Sequence, residues 1–208
     1  YLHSENAASG ALTVTPENGS ISFLSGDNLN VNSAQADTTV TLDSGCMLYS
    51  RNPSGSSDKI HIRNSTTTIS SATIIAQRQI LIEEGAFIGN DSVLYLAAAS
   101  NTGNNDLTIS GSATAIEGTI ISRGRNDPAL IVDEADITGI VYQYVNATEG
   151  TTEITGNATL TGALLVRAFR NNRIGPCTIT HDIEEILALT PEGFADSVFI
   201  KPESWDDH

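Results

Sequence analysis

Three short segments of the chain share one pattern, and their spacing limits what the chain can fold into. Each starts with small or polar residues among apolar ones, passes through a glycine and ends in a mainly apolar run. The segments are AIEGTII at 115–121, DITGIVY at 136–142 and TLTGALL at 159–165. Their glycines, Gly118, Gly139 and Gly162, lie 21 and then 23 residues apart. A period in this range indicates a repeat architecture, either a solenoid or a propeller.

The apolar residues around each glycine predict strands with one buried face, because alternation of apolar and polar positions is typical of such strands. The residues that we expect to face inward stand two before and two after the glycines: Ile116, Ile137, Leu160, Ile120, Val141 and Leu164. A propeller blade needs about 40 residues, and the Leu/Asn ladder of a leucine-rich repeat is missing. The unit suits one coil of an all-β, single-stranded parallel β-helix, in which coils lie about 4.8 Å apart.

The pattern continues towards the N-terminus with less fidelity. TISSATII at 68–75 fits it with Ser71 at the glycine position, AFIGNDSVLYL at 86–96 fits it with an insertion, and TLDSGCMLY at 41–49 fits less closely. The segment LTVTPENGSISFLSGDNLNVN at 12–32 shows strand alternation without the glycine. Together the segments predict a solenoid of about seven coils, and we expect it to be right-handed. The longer loops between them are read as excursions from the coil, so residues 1–208 are expected to form a single domain.

The C-terminal part of the chain predicts a lid over the last coil. A solenoid has open ends, and an exposed sheet edge invites aggregation. The segment HDIEEILAL at 181–189 predicts a short amphipathic helix, which Asp182 can cap while Glu185 reaches back to it. We therefore expect residues 181–208 to form a C-terminal cap.

Composition supports an ordered β-protein and excludes two classes of partner. The chain has a net charge of −15 and only ten Lys and Arg residues, too few for binding nucleic acid or an anionic membrane surface. Such acidity is typical of solubility outside the cell, with carboxylates that hold Ca²⁺ as the alternative. No apolar stretch is long enough to span a membrane. Because the chain begins at Tyr1 and not Met, we expect a processed or truncated piece.

The chain has two cysteines, Cys46 and Cys177, and no Cys-x-x-Cys motif. The repeat places about five coils between them, which at about 4.8 Å per coil amounts to roughly 24 Å. A disulfide needs Cα atoms within about 7 Å of each other. We therefore expect both thiols to be reduced, with Cys46 buried as a small apolar residue.

The acidic residues supply the one metal-site hypothesis. The segment VDEAD contains Asp133, Glu134 and Asp136, with Glu117 about one period earlier and Glu153 about one period later. Carboxylates stacked by successive coils could bind Ca²⁺, whereas isolated acids at turns form a solvated face. A glycoside hydrolase needs two or three acids that converge on one face. The sequence offers no such set with a partner base, so we assign no catalytic residue and no cofactor.

Two groups of arginines are candidates for holding an anionic sugar. The first is Arg123 and Arg125 with Asp127, and the second is Arg167, Arg170 and Arg173. Arginines at turns also pair with local acids, and that alternative stays open. The sequence contains no Gly-x-Ser-x-Gly elbow, no phosphate-binding loop and no His-Glu-x-x-His motif.

The segments DLTISGSATAIEGTIISRG and TEITGNATLTGALLVRA, a Pro-x-Gly-Phe at 191–194 and ESW at 203–205 carry a family resemblance over about residues 106–208. They resemble bacterial surface proteins with a C-terminal β-helix behind a prepilin-like N-terminal helix, which accompany type IV pilus and pseudopilus systems. The segment ILIEEGAFIGN at 80–90 is similar to one coil of the bactofilins, which are polymer-forming cytoskeletal β-helices.

These observations leave three hypotheses on function. The first is a non-catalytic structural or adhesive module outside the cell, tethered through a missing N-terminal segment, with other surface or pilus proteins or glycans as partners. The second is a carbohydrate-active enzyme, a lyase or a hydrolase, or a glycan-binding protein on the same fold. The third is a bactofilin-like filament, against which the predicted cap argues. The oligomeric state stays open.

Overall fold

The computed structural model describes residues 10–16, 21–25, 28–31, 38–51, 59–97, 106–124, 128–143, 151–166 and 169–182. Every regular element in these ranges is a β-strand, and no helix occurs among them. The first nine strands are β1 (Gly10–Val14), β2 (Ile21–Ser25), β3 (Leu29–Val31), β4 (Thr38–Leu42), β5 (Cys46–Ser50), β6 (Lys59–Arg63), β7 (Thr67–Ile69), β8 (Ala72–Ala76) and β9 (Gln79–Glu83). The next nine are β10 (Phe87–Leu96), β11 (Leu107–Ser110), β12 (Ala115–Ser122), β13 (Leu130–Asp133), β14 (Asp136–Gln143), β15 (Thr152–Thr155), β16 (Ala158–Val166), β17 (Phe169–Ile174) and β18 (Cys177–His181).

The strands form two parallel sheets that wind into a β-solenoid. In the larger sheet, β1, β4, β7, β10, β12, β14, β16 and β18 follow one another, while β2, β5 and β8 form a second row that joins the first at β10. The smaller sheet has the order β17-β15-β13-β11-β9-β6-β3. Neighbouring strands in both sheets are parallel and come from successive coils. The predicted all-β parallel solenoid is thereby confirmed.

About five turns of the solenoid are established. They correspond in the smaller sheet to β6, β9, β11, β13 and β15, which pair without irregularity. At the two ends of this sheet, β3 has only three residues and the register between β15 and β17 is irregular. The count of about seven coils, the right-handed winding and the single domain over 1–208 stay predictions.

The predicted C-terminal helix lies almost wholly outside the described residues, which end at Asp182. A helix that starts at His181 is wrong at that residue, because His181 is the last residue of β18 and pairs with Gly162. The parallel ladder even reaches Asp182, whose backbone N–H donates to the carbonyl oxygen of Gly162 at 3.3 Å.

The inward side chains stack in columns that run along the solenoid axis. Ile116, Ile137 and Leu160 form one column, and Ile120, Val141 and Leu164 form another. All but Leu164 are at most 2% exposed, and Leu164 is half-buried against the same core. The predicted inward face is therefore confirmed. Burial of an aliphatic side chain of this size is worth about 1.5–3 kcal/mol, so the columns supply much of the driving force for folding.

The three glycines that define the repeat form the bend of the larger sheet. Gly118 pairs with Gly139, and Gly139 pairs with Gly162. Their φ angles are 154°, 141° and 128°, in a region that residues with a Cβ rarely adopt. A Cβ on Gly139 would also collide with the carbonyl oxygen of Gly118, and one on Gly162 with that of Gly139. The backbone of the preceding coil therefore leaves no space for a side chain at each of these positions.

Upstream of Gly118 the bend takes another form. The register of β10 shifts between Ile88 and Ser92, and Ser92 pairs with Gly118, so the predicted insertion in 86–96 is confirmed. One coil earlier the bend separates β7 from β8, and the Ala72 N–H donates to Ser92 Oγ at 3.1 Å. Ala72 and not Ser71 therefore holds the glycine position. The prediction for Ser71 is wrong by one residue, because the connection that precedes β8 is one residue longer than in the glycine-containing coils.

Replacing Gly139 by alanine is expected to lower the free energy of unfolding by about 3 kcal/mol, because the new methyl group meets a backbone carbonyl that cannot move without breaking the ladder. Urea unfolding followed by circular dichroism measures the loss. Gly175→Ala is the matched control, since its Cβ would come no closer than 3.2 Å to a neighbouring atom, and we expect a change below about 1 kcal/mol. Equal losses in the two variants would contradict a special role for the bend.

Both cysteines are free, and they differ in accessibility: Cys46 is buried and Cys177 is half-buried. Cys46 lies in β5 between Ile21 and Ala72 of neighbouring coils, far along the axis from Cys177 in β18. Burial raises the pKa of the Cys46 thiol, and the negative charge of Asp43 raises it further.

In the native protein at mildly alkaline pH, iodoacetamide is expected to alkylate Cys177 well before Cys46, because only the thiolate reacts and the raised pKa keeps Cys46 protonated. Mass spectrometry of timed samples measures both rates. In a separate sample that has not been alkylated, denaturant without reductant should expose two titratable thiols per chain. A chain without titratable thiols, or one in which Cys46 reacts first, would contradict the described stacking.

Candidate binding face

The structure separates the two aspartates of the predicted metal site. Asp133 ends β13 in the smaller sheet, where its partners in the neighbouring coils are Ser110 and Thr155. The Thr155 hydroxyl donates a hydrogen bond to Asp133 Oδ1 at 2.7 Å. Asp136 begins β14 in the larger sheet and is exposed. The two aspartates thus belong to different sheets, on either side of a corner.

The other three acids of that hypothesis also stand apart. Glu134 is exposed at the corner itself, with a left-handed φ of 58°. Glu117 pairs with Thr138, and Glu153 pairs with Ile131. The parallel register therefore stacks none of the five acids on another. Among the residues that the structure describes, no group of three or more His, Cys, Asp or Glu side chains could hold a metal ion.

Two pairs of charged side chains on the outer face of the smaller sheet are engaged with one another. His61 Nε2 lies 2.9 Å from Glu83 Oε2, and the Arg63 guanidinium bonds the Glu84 carboxylate. The hydrogen bond from Arg63 lowers the pKa of Glu84, and the same bond raises the pKa of Arg63. These pairs join β6 to β9 and to the corner that follows it, which indicates a solvated, locally neutralised surface.

Only one of the predicted sugar-binding arginines has a described side chain. Arg123 is exposed, and its Nη1 donates to the Tyr95 hydroxyl at 3.4 Å. The remaining members of the two groups have side chains outside the described part: Arg125, Asp127, Arg167, Arg170 and Arg173. One partner of Arg123 is thus a tyrosine of the larger sheet.

That tyrosine belongs to an outward column of the larger sheet beyond the bend. The column alternates aliphatic and aromatic side chains from coil to coil: Leu24, Tyr49, Ile75, Tyr95, Ile121, Tyr142 and Leu165. Leu24 is 68% exposed, Leu165 47% and Tyr142 40%, and the other four are half-buried. Successive coils therefore present a continuous apolar and aromatic row to solvent.

A second outward column runs beside the first, two residues earlier in each strand. Its members are Ser22, Met47, Thr73, Val93, Thr119, Ile140 and Ala163. We call the two columns together the tyrosine face. None of its residues is charged, although the chain has a net charge of −15. Arg51 and Arg123, each the residue after its strand on this side, provide a basic rim.

Alternation alone did not reveal this face. The positions three residues after the glycines, Ile121, Tyr142 and Leu165, are apolar although alternation turns them outward. The mainly apolar run after each glycine is the sequence feature that indicates the face. A strand with one solvent-exposed face would have polar residues at its outward positions. An exposed apolar patch that the core does not use indicates an interaction surface.

Comparison with known proteins finds no matching family model, no matching curated protein and no matching solved structure. The resemblances to pilus-associated surface proteins and to bactofilins therefore stay predictions. Within the described ranges, no helix is long and apolar enough to cross a membrane.

Proposed function

We propose that the chain is a non-catalytic structural or adhesive module that works outside the cell, at a bacterial surface or with a pilus-type assembly. The observation that carries this proposal is the tyrosine face. The solenoid holds a charge-free row of apolar and aromatic side chains in water, where each costs free energy unless a partner covers it. A rigid, repetitive scaffold with such a row is suited to binding an extended partner.

The positions of the acids support binding over catalysis. Glycosidases use two carboxyl groups that flank one bond, at separations of about 5–9.5 Å and aimed at the same site. Asp133 is bound to Thr155 on the smaller sheet, and Asp136 stands exposed on the larger one. A substrate would have to contact carboxylates on two different faces of the solenoid, on either side of a corner.

We further propose that the solenoid is right-handed, has about seven coils and is closed at its C-terminal end by residues 183–208. The exposure of two residues on its last strands supports this closure. Ile174 pairs with the buried Ile154, and Ile179 pairs with the buried Leu160. Both continue core columns, yet they are 53% and 46% exposed. We infer that the segment that follows β18 in the sequence covers them.

The proposed location and the lack of catalysis are tested together. Antibody to the module is expected to label intact, unpermeabilised cells of the organism that makes it, and the purified protein should release no products from pectin, alginate or neutral glycans. Labelling that needs permeabilisation would contradict the location. The control variant is Asp91→Asn, at the exposed bulge of β10. If the protein turns over a glycan, and Asp133→Asn or Asp136→Asn loses this turnover while the control keeps it, the chain is an enzyme and the proposal is wrong.

The closure predicts a monomer. In sedimentation velocity the full chain should stay monomeric as its concentration rises, whereas a chain that ends at Asp182 should self-associate, because Ile174 and Ile179 then lie at an open end. Adding Ile179→Ser to the shortened chain should weaken that association. End-to-end polymers of the full chain would contradict the cap and favour the filament hypothesis.

A further inference from the structure

We propose that the tyrosine face binds a single chain of a neutral polysaccharide, laid along the solenoid axis. This inference rests on the proposed adhesive function and names the class of its ligand. Four properties of the face favour this occupant: the spacing of its tyrosines, the chemistry of its side chains, its lack of charge and its narrow width.

The spacing of the tyrosines follows from the strand ladder. Tyr49, Tyr95 and Tyr142 stand on every second coil of the column, with an aliphatic residue between each pair. Neighbouring parallel strands lie about 4.8 Å apart, so the tyrosines recur at about 9.6 Å. That interval is close to the length of one disaccharide unit in an extended β-1,4-linked hexose chain. A glycan along the axis would therefore meet a tyrosine at each repeat.

The side chains match the two-sided character of a sugar ring. A pyranose presents apolar C–H faces and a rim of hydroxyl groups, and tyrosine offers an apolar ring with a polar tip. Ile75 and Ile121 fill the positions between the tyrosines. Thr73 and Thr119 in the second column supply hydroxyl groups that can donate and accept at the ligand's rim.

Charge selects among the partners that could cover such a face. The fourteen positions of the face carry no charge, while the chain has a net charge of −15. Polyanionic glycans and anionic membranes are repelled at long range, and among the described residues only Arg51 and Arg123 at the rim oppose this. Two copies of the chain would bring the same excess of negative charge together. A neutral glycan meets no such penalty.

The dimensions argue against a protein partner. The column spans seven strands, or about 29 Å, and two outward residues per strand give a width of about 13 Å. The resulting area of roughly 380 Å² is about half of the 800 Å² per partner that a stable protein interface buries. Strand addition by a peptide needs a free sheet edge, and the central strands of this face are already paired on both sides. A single glycan chain is narrow enough and needs no edge.

The test uses the full chain and cellohexaose as the neutral β-1,4-linked probe, with binding measured by isothermal titration calorimetry. Tyr95→Ala and Tyr142→Ala are each expected to weaken binding about tenfold, by the loss of one stacking contact. Tyr95→Phe should keep most of the affinity, because it retains the ring. Phe87→Ala is the matched control: Phe87 is an outward aromatic residue of the same strand, on the other side of the bulge.

Circular dichroism and thermal unfolding establish that each variant folds. Should a variant fail to fold, nitration of the wild-type tyrosines by tetranitromethane decides the point, since bound glycan should protect Tyr142. The inference is overturned if cellohexaose, chitohexaose and mannohexaose all fail to bind. It is also overturned if Phe87→Ala weakens binding as much as Tyr95→Ala, or if the face instead binds an apolar peptide or a second copy. Surface labelling without glycan binding would leave the adhesive function standing and reject only this ligand class.

Discussion

Backbone hydrogen bonds between successive coils set the positions of the side chains on the described strands. The ladder brings the backbone of Gly139 so close to the carbonyl oxygen of Gly118 that no Cβ fits between them. The same contact recurs between Gly162 and Gly139. Because the bend recurs at the same place in each coil, the positions on either side of it also recur. Inward positions stack in the core, and outward positions stack on the surface.

This recurrence of strand positions aligns the outward side chains in columns. A side chain that turns outward on one coil lies directly beside its partner on the next, so Tyr95 is flanked by Ile75 and Ile121. Isolated apolar residues on a protein surface need no explanation, but seven in register form a continuous face. The chain keeps its carboxylates off this face, so the face is uncharged on a protein with a net charge of −15. An uncharged, narrow and regular face is suited to a ligand with the same three properties.

The bend also shows how the solenoid tolerates variation. Where Ser92 replaces the glycine, β10 takes up extra residues in a bulge that contains Asp91, with a φ of 63°. One coil earlier, the strand divides into β7 and β8, and the Ala72 N–H bonds to the Ser92 side chain. Both coils that carry a side chain at the bend thus also have a longer connection before it.

Much of the core could be predicted from the sequence, because glycine and alternating apolar residues report directly on local backbone geometry. The positions around Gly139 indicated the inward face, since Ile137 and Val141 are buried as expected. Register between coils was harder, as Ser71 shows, because one extra residue in a connection moves a whole strand. The hypothesis of stacked acids also depended on the register between coils. In the structure Glu153 pairs with Ile131 and not with another acid.

The sequence by itself determined the all-β class, the repeat with its recurring glycine and the residues that fill the core, because each depends on local periodicity. Only the tertiary structure decided which distant residues become neighbours. The loops between strands differ in length, so Tyr49, Tyr95 and Tyr142 enter one column only after the coils have stacked. The same stacking placed Asp133 and Asp136 in different sheets, because the chain turns a corner between them.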